Sequence, residues 1–313
     1  MLERLGTTHF GDAAWGLALL ADGEVTHASH RLPENGDAEI GSITKGVTGL
    51  LYRDAITRGE VQADDLVEKH LPLAGCPAGA VTLGSLAEHR SGLPRLPVVP
   101  DMTGRSWRLW RHQQNPYGDT LAELLEQTRA TRVGKPKARY SNLGFELLGH
   151  AVAAAAHSTY RELVRARVAE PLGLTSWYLP TTPGELGPNA VAGTSRRGKP
   201  AEAWTGEALG PAGGIRSTLA DLTTFAAALL DGTAPGVDAL EPTRNFAGPA
   251  VRIGSAWMTT RIRDRDVTWH NGGTGGWSSF IGLDREAGRA AVVLLGRARS
   301  VDKVGMELVA PAS

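Results

Sequence analysis

Residues 41–52 read Gly41-Ser42-Ile43-Thr44-Lys45-Gly46-Val47-Thr48-Gly49-Leu50-Leu51-Tyr52, and this stretch decides both the fold and the chemistry. Ser-x-x-Lys on a helix sets a hydroxyl and an amine on one face, within reach of each other. A serine hydroxyl is a weak nucleophile until a base takes its proton. A desolvated lysine can be that base, because burial disfavours its ammonium form. The apolar Ile43, Val47, Leu50, Leu51 and Ala55 fall at helical spacing and predict an amphipathic helix that ends near Gly59. Ser42, on its first turn, lies close to the positive end of the helix dipole, which favours a developing oxyanion.

The tetrapeptide alone is weak, since chance supplies about one in a chain of this size. A second one exists, Ser300-Val301-Asp302-Lys303. It follows the last apolar run, carries an acidic residue inside it, and reads as the N-cap of a short terminal helix. Context selects Ser42.

Two further segments carry chemistry. Tyr140-Ser141-Asn142 opens a helical pattern. Beside Lys45, Tyr140 can relay a proton between the serine and a leaving group, and the Asn142 amide can hold Lys45 and a substrate carbonyl. A plain cap at Asn142 and a packing tyrosine remain the alternative. His270-Asn271-Gly272-Gly273-Thr274-Gly275-Gly276 ends a strand and begins a glycine-rich connection. Glycines let the strand edge approach an acyl group, and the N–H groups of Ser42 and Gly273 are the expected oxyanion donors. A simple hairpin turn is the competing reading. His270 either faces the site or merely ends its strand. The other histidines show no metal or triad spacing.

Composition narrows the class. The 33 basic and 33 acidic residues cancel, leaving no field to steer nucleic acid or an anionic membrane. The single Cys76 excludes an intramolecular disulfide, and no cysteine cluster offers a zinc site. HExxH, GxGxxG, Walker and GxSxG patterns are absent. No stretch approaches the ~18 consecutive apolar residues of a membrane span. The start lacks a basic segment followed by an apolar run, so the expectation is a cytoplasmic protein without signal peptide.

Strand patterns lie at both ends: residues 15–20 and 24–30 joined at Asp22-Gly23, then 255–262, 267–270, 278–283 and 290–296. Helical patterns fill the middle at 83–89, 121–129, 143–169 and 219–230, and a short one, 302–309, ends the chain. The expected fold class is therefore α+β. One antiparallel sheet is built from both chain ends and flanked by helices. The α/β lobe takes about 1–60 and 245–313, the mainly helical lobe about 61–244, and the whole forms a single catalytic unit with Ser42 in the cleft. Residues 94–116 are hard to read; Trp107, Leu109 and Trp110 in it suit core better than pocket.

In order and context, the segments GSITKGVTGLLY, TLGSLAEHRSGLP, YSNLGFELLGHAV, GPAGGIRSTLADLTTFAAALL and HNGGTGGWSSFIGLD resemble the serine β-lactamase and penicillin-binding-protein superfamily. The branch with class C β-lactamases, family VIII carboxylesterases, D-aminopeptidases and DD-peptidases is the most similar. The resemblance spans nearly the whole chain and implies a β-lactamase/transpeptidase-like fold. It implies that Ser42 is acylated, that Lys45 and Tyr140 share the proton transfers, and that Asn142 supports the substrate. It further implies that His270 and Gly272 take the outer positions of the third box, that Gly273 gives an oxyanion N–H, and that no cofactor is needed.

The departures bear on substrate. His270, with a reference pKa of ~6.5, stands where lactamases of this superfamily carry a lysine for the drug's carboxylate, and Asn271 replaces a hydroxyl residue. A weakened anion corner favours esters or uncharged amides over penicillins. The leading expectation is a serine hydrolase acting through an acyl-enzyme on small carboxylic esters or amides. The alternatives are a β-lactamase or D-amino-acid-specific peptidase, an acyltransferase, and a non-catalytic binding module. The sequence does not indicate an oligomeric state.

Overall fold

The computed structural model describes residues 1–97, 111 and 114–311. Trp107, Leu109 and Trp110 lie outside the described residues. An eight-stranded antiparallel sheet forms from the two chain ends. Strands β1 (Trp15–Ala21) and β2 (Glu24–His30) are a hairpin whose turn residues, Asp22 and Gly23, both take positive φ, 56° and 76°. That backbone twist matches the twist of the flanking strands, which is why Asp-Gly stands there.

A short pair, β3 (Ala38–Glu39) with β4 (Arg216–Ser217), lies apart from the large sheet. The other strands of the large sheet are β5 (Arg244–Ala247), β6 (Val251–Ile253), β7 (Met258–Ile262), β8 (Arg265–Gly273), β9 (Ser278–Asp284) and β10 (Arg289–Leu295). Their order is β2-β1-β10-β9-β8-β7-β6-β5, so the last strand pairs with the first, Trp15 opposite Leu295.

Both faces of the sheet are covered. Leu17, Leu19, Val293 and Leu295 point into one apolar cluster, and Ala18, Leu20, Val292 and Leu294 into the other. This alternation is the two-residue strand period, and it explains why β1 and β10 read as unbroken apolar runs. The smaller cluster is closed by α1 (Leu2–Phe10), which the sequence reading did not anticipate, and includes Leu308 and Val309 of the C-terminal helix.

The larger core surrounds α2 (Ile43–Thr57). This helix is not amphipathic in place. Thr44, Lys45 and Thr48 are as fully buried as Val47 and Leu50, because strands pack on one side and helices on the other. After it come α3 (Leu83–Ala87), α4 (Leu121–Arg129) and α5 (Asn142–Ala155). The helix expected to run from 143 to 169 breaks after Ala155. His157 takes φ 52°, and Thr159 starts α6 (Tyr160–Val164) with a capping box to Glu162. Next are α7 (Glu170–Leu172), α8 (Gly210–Gly213) and α9 (Leu219–Leu230), and α10 (Asp302–Val309) closes the chain.

Strand β8 runs three residues beyond His270. Gly272 and Gly273 pair with Ser279 and Ser278, and the turn falls at 274–277. The glycines are therefore part of the sheet edge. Around β3, Arg216 forms a buried ion pair with Asp37, and Glu39 accepts from the Thr274 hydroxyl at 2.5 Å and the Trp204 N–H at 2.6 Å. Burial pushes the Glu39 carboxyl up against these bonds. The Glu39–Thr274 bond ties the segment leading into Ser42 to the turn after β8.

Candidate active site

Ser42 immediately precedes α2 in helical conformation, φ −67° and ψ −6°. Gly41 before it has φ 51°, and a Cβ there would lie 2.7 Å from the Gly273 nitrogen. Only glycine lets this chain turn so close to β8. Gly272 is equally constrained, since a Cβ on it would collide with the Ile40 carbonyl and the Ser279 hydroxyl.

One turn into α2, the Lys45 Nζ lies 3.0 Å from Ser42 Oγ and 2.5 Å from the Ala212 carbonyl of α8. The lysine is fully buried. Desolvation pulls its pKa below the usual 10.5, while the Tyr140 phenol and the Glu146 carboxyl pull the other way. Its Nζ stands 5.1 Å from the centre of the Tyr140 ring. The structure thus brings Ser42, Lys45 and Tyr140 into one cluster. By contrast, the Ser300 hydroxyl accepts from the Asp302 N–H at 3.3 Å while Lys303 is exposed, so the second Ser-x-x-Lys does not assemble.

His89 holds Tyr140, a part the sequence reading gave it no share in. Its carbonyl accepts from Arg139 N–H at 2.9 Å and its Nδ1 from Ser141 N–H at 3.1 Å, one residue to either side of the tyrosine. The two rings lie 4.4 Å apart, and Phe145 packs on the histidine at 4.6 Å. An accepting Nδ1 places the proton on Nε2. Burial, then the nearby Lys45, holds His89 well below its ordinary pKa, so it is a neutral support.

Ser141 caps α5 by accepting the Gly144 N–H at 2.9 Å. Asn142 makes no hydrogen bond to Lys45 among the described residues. Its Nδ2 donates to the Tyr117 hydroxyl at 3.0 Å, and its buried Oδ1 has no partner among the described residues. The Asn142 amide is taken up instead by Tyr117, a half-buried phenol packed on Trp204 at 4.8 Å. One turn further along α5, Glu146 is buried, its pKa pushed up to about 8 by desolvation and restrained by Lys45.

The third segment splits. Asn271, Gly272 and Gly273 line a cavity of about 390 Å³ with Ser42, Arg95, Tyr140, Ser278, Ser300, Val301 and Asp302. His270 is not among the residues that line it. The ring is buried edge-on to Trp257, and its Nδ1 donates to the Asn271 carbonyl at 2.7 Å. Burial and the Lys45 charge pull its pKa to about 4. A neutral, buried imidazole cannot bind a carboxylate as an imidazolium would. Arg95, exposed at the cavity, sets its guanidinium 5.5 Å over the Tyr140 ring. Its carbonyl accepts the N–H groups of Asn142 and Leu143. Nothing in the spacing marked Arg95 or Asp302 beforehand. His89 was visible only as part of the EHRSGLP segment.

Among the described residues no group of histidine, cysteine, aspartate or glutamate side chains is arranged to hold a metal ion. Among them, too, no helix is long and apolar enough to cross a membrane.

Known proteins share the fold that carries this site. A Beta-lactamase of Escherichia coli (strain K12) is 29% identical over 189 residues, 60% of this chain and 46% of that protein. The D-alanyl-D-alanine-carboxypeptidase/endopeptidase AmpH of the same organism is 27% identical over 231 residues, 68% of this chain and 57% of that one. The chain thus spans about half the length of these curated relatives. A solved class C beta-lactamase superposes with TM-score 0.82 at 17% identity, covering 99% of this chain and 94% of that one. A D-stereospecific amidohydrolase from Streptomyces sp. gives 0.83 at 21%, covering 98% and 97%. At such identities the superpositions establish the fold. The family model described as Beta-lactamase matches residues 10–309, nearly the whole chain, and the chain belongs to that family.

Proposed function

We propose that this protein is a serine hydrolase that cleaves small carboxylic esters or amides through an acyl-enzyme on Ser42. The observation that carries the reading is the 3.0 Å approach of a fully buried Lys45 amine to the Ser42 hydroxyl, beside the Tyr140 ring. Desolvation favours the neutral amine, which is the form able to accept a proton.

In the first step the Ser42 proton passes to Lys45 as Oγ bonds to the substrate carbonyl carbon. The carbonyl electron pair moves to oxygen, where the N–H groups of Ser42 and Gly273 are the donors in reach. The Ser42 N–H donates to no backbone carbonyl among the described residues, and Gly273 has open space around its Cα. The tetrahedral species expels the alcohol or amine, which receives a proton through Tyr140. Water then adds to the acyl carbon, gives up its proton to the same pair, and releases the acid and free Ser42. No step calls for a metal.

The relatives named as β-lactamases and a carboxypeptidase, and a fold neighbour named as an amidohydrolase, support amides among the substrates. The neutral, buried His270 supports substrates that bring no carboxylate to the third-box strand. Treatment with a fluorophosphonate and peptide mass spectrometry tests the nucleophile. The adduct is expected on Ser42; an adduct elsewhere, or none, refutes the reading.

A further inference from the structure

The cavity that holds Ser42 has an acidic wall. Asp302, at the start of α10, lines it together with Asn271, Gly272 and Gly273 of β8 and with Ser300. Its Oδ1 accepts from the Asn271 Nδ2 at 3.0 Å, and its backbone N–H is held by the Ser300 hydroxyl at 3.3 Å. The carboxylate is thus fixed by a neutral amide, and among the described residues it has no ion-pair partner. Asn271 stands between His270 and Gly272 on β8, and the charge it holds shares the cavity with Ser42. His270, the one titratable group of that segment, is buried near Lys45, outside the cavity lining, and stays neutral. Arg95, the cation of the cavity among the described residues, lies on the Tyr140 side instead.

We infer that Asp302 is a specificity residue, selecting substrates that carry a protonated amino group next to the scissile carbonyl: aminoacyl esters or amides. A half-buried carboxylate with a free lone-pair sector is a receptor for an ammonium donor. The same charge repels a substrate carboxylate, the group for which a cationic third segment would be built. The arrangement rests on the acyl-enzyme reading above.

The test compares alanine benzyl ester, in both enantiomers, with benzyl propionate, which lacks only the amino group. Benzyl alcohol release is followed at pH 6.5. The amino ester is intrinsically more reactive, so the informative quantity is the ratio of the two kcat/KM values in the parent against the same ratio in Asp302→Asn. The asparagine can still accept from Asn271. The ratio is expected to fall at least ~10-fold, the scale of one hydrogen bond to a charged group, and to fall further in Asp302→Lys. An unchanged ratio in both variants, with either enantiomer, overturns the inference, and so does an equal loss on both esters, which marks a merely structural aspartate. Fluorophosphonate labelling of Ser42 in the same preparations separates the two failures. Labelled protein with an unchanged ratio sinks only the role of Asp302, whereas unlabelled protein sinks the acyl-enzyme itself.

Discussion

His89 clasps the chain on both sides of Tyr140 and lays its ring 4.4 Å from the phenol ring. The histidine takes φ 54°, a region open to asparagine but costly for most side chains. His89→Asn therefore keeps both an acceptor near the Ser141 N–H and the backbone shape. His89→Ala leaves a buried N–H unpaired, at a cost of ~1–3 kcal/mol. The expected outcome is a kcat loss of about 10-fold or more in His89→Ala with KM little changed, and substantial recovery in His89→Asn. Equal kcat values in parent and alanine variant would detach His89 from Tyr140.

Lys45→Ala and Tyr140→Phe should each lower kcat at least ~10²-fold, the usual scale for a proton-transfer group. Lys45→Arg should be no better than alanine, because a guanidinium does not give up its proton in the working range. Steady-state kinetics on p-nitrophenyl butyrate, with folding checked by circular dichroism, decides this. Nitrocefin on the same enzyme should be a poor substrate.

Acid should destabilise the protein through its buried histidines. His270 and His150 both sit at about 4 in the fold against an ordinary 6.5. Their contribution is fully present above pH 6.5 and is lost as pH falls toward 4, because the unfolded chain binds the proton first. The gap corresponds to roughly 3 kcal/mol for one such histidine. Tm measured from pH 7.5 to 4.5 should fall less steeply in His150→Gln, away from Ser42, than in the parent.

Glu146 acts in the opposite direction. Its carboxyl is raised to about 8, so the stability it supplies is complete below 4.5 and disappears as pH rises through about 8. Glu146→Gln should flatten the fall of Tm between about pH 4.5 and 8. A fall identical to the parent's would show that another group carries it.

Neighbouring glycines should differ sharply. A methyl at Gly272 meets the Ile40 carbonyl and Ser279, whereas one at Gly273 meets nothing within 4 Å. Gly272→Ala should cost more than ~2 kcal/mol in urea unfolding, and Gly273→Ala close to none. Similar midpoints would contradict the packing at the strand edge.

Much of this molecule was legible in its residues. The Asp22-Gly23 turn, the apolar strands at both ends and the Ser42–Lys45 spacing are local patterns, and local patterns follow from backbone sterics and side-chain period alone. They were enough for one sheet made from two termini and flanked by helices, with Ser42 at the start of one of them. What they could not give is which groups lose their water. Spacing puts the Lys45 amine beside Ser42 but does not bury it, and His270 stays either a site residue or a strand end, until distant elements close over both. Asn142 donates to the half-buried Tyr117 and makes no hydrogen bond to Lys45 among the described residues. His89, Glu146, Arg95 and Asp302 reach the site from separate segments, and their meeting was settled only when the sheet and helices packed. Spacing along the chain fixes what is near in sequence; desolvation, and the partner each polar group must then find, belongs to the tertiary structure.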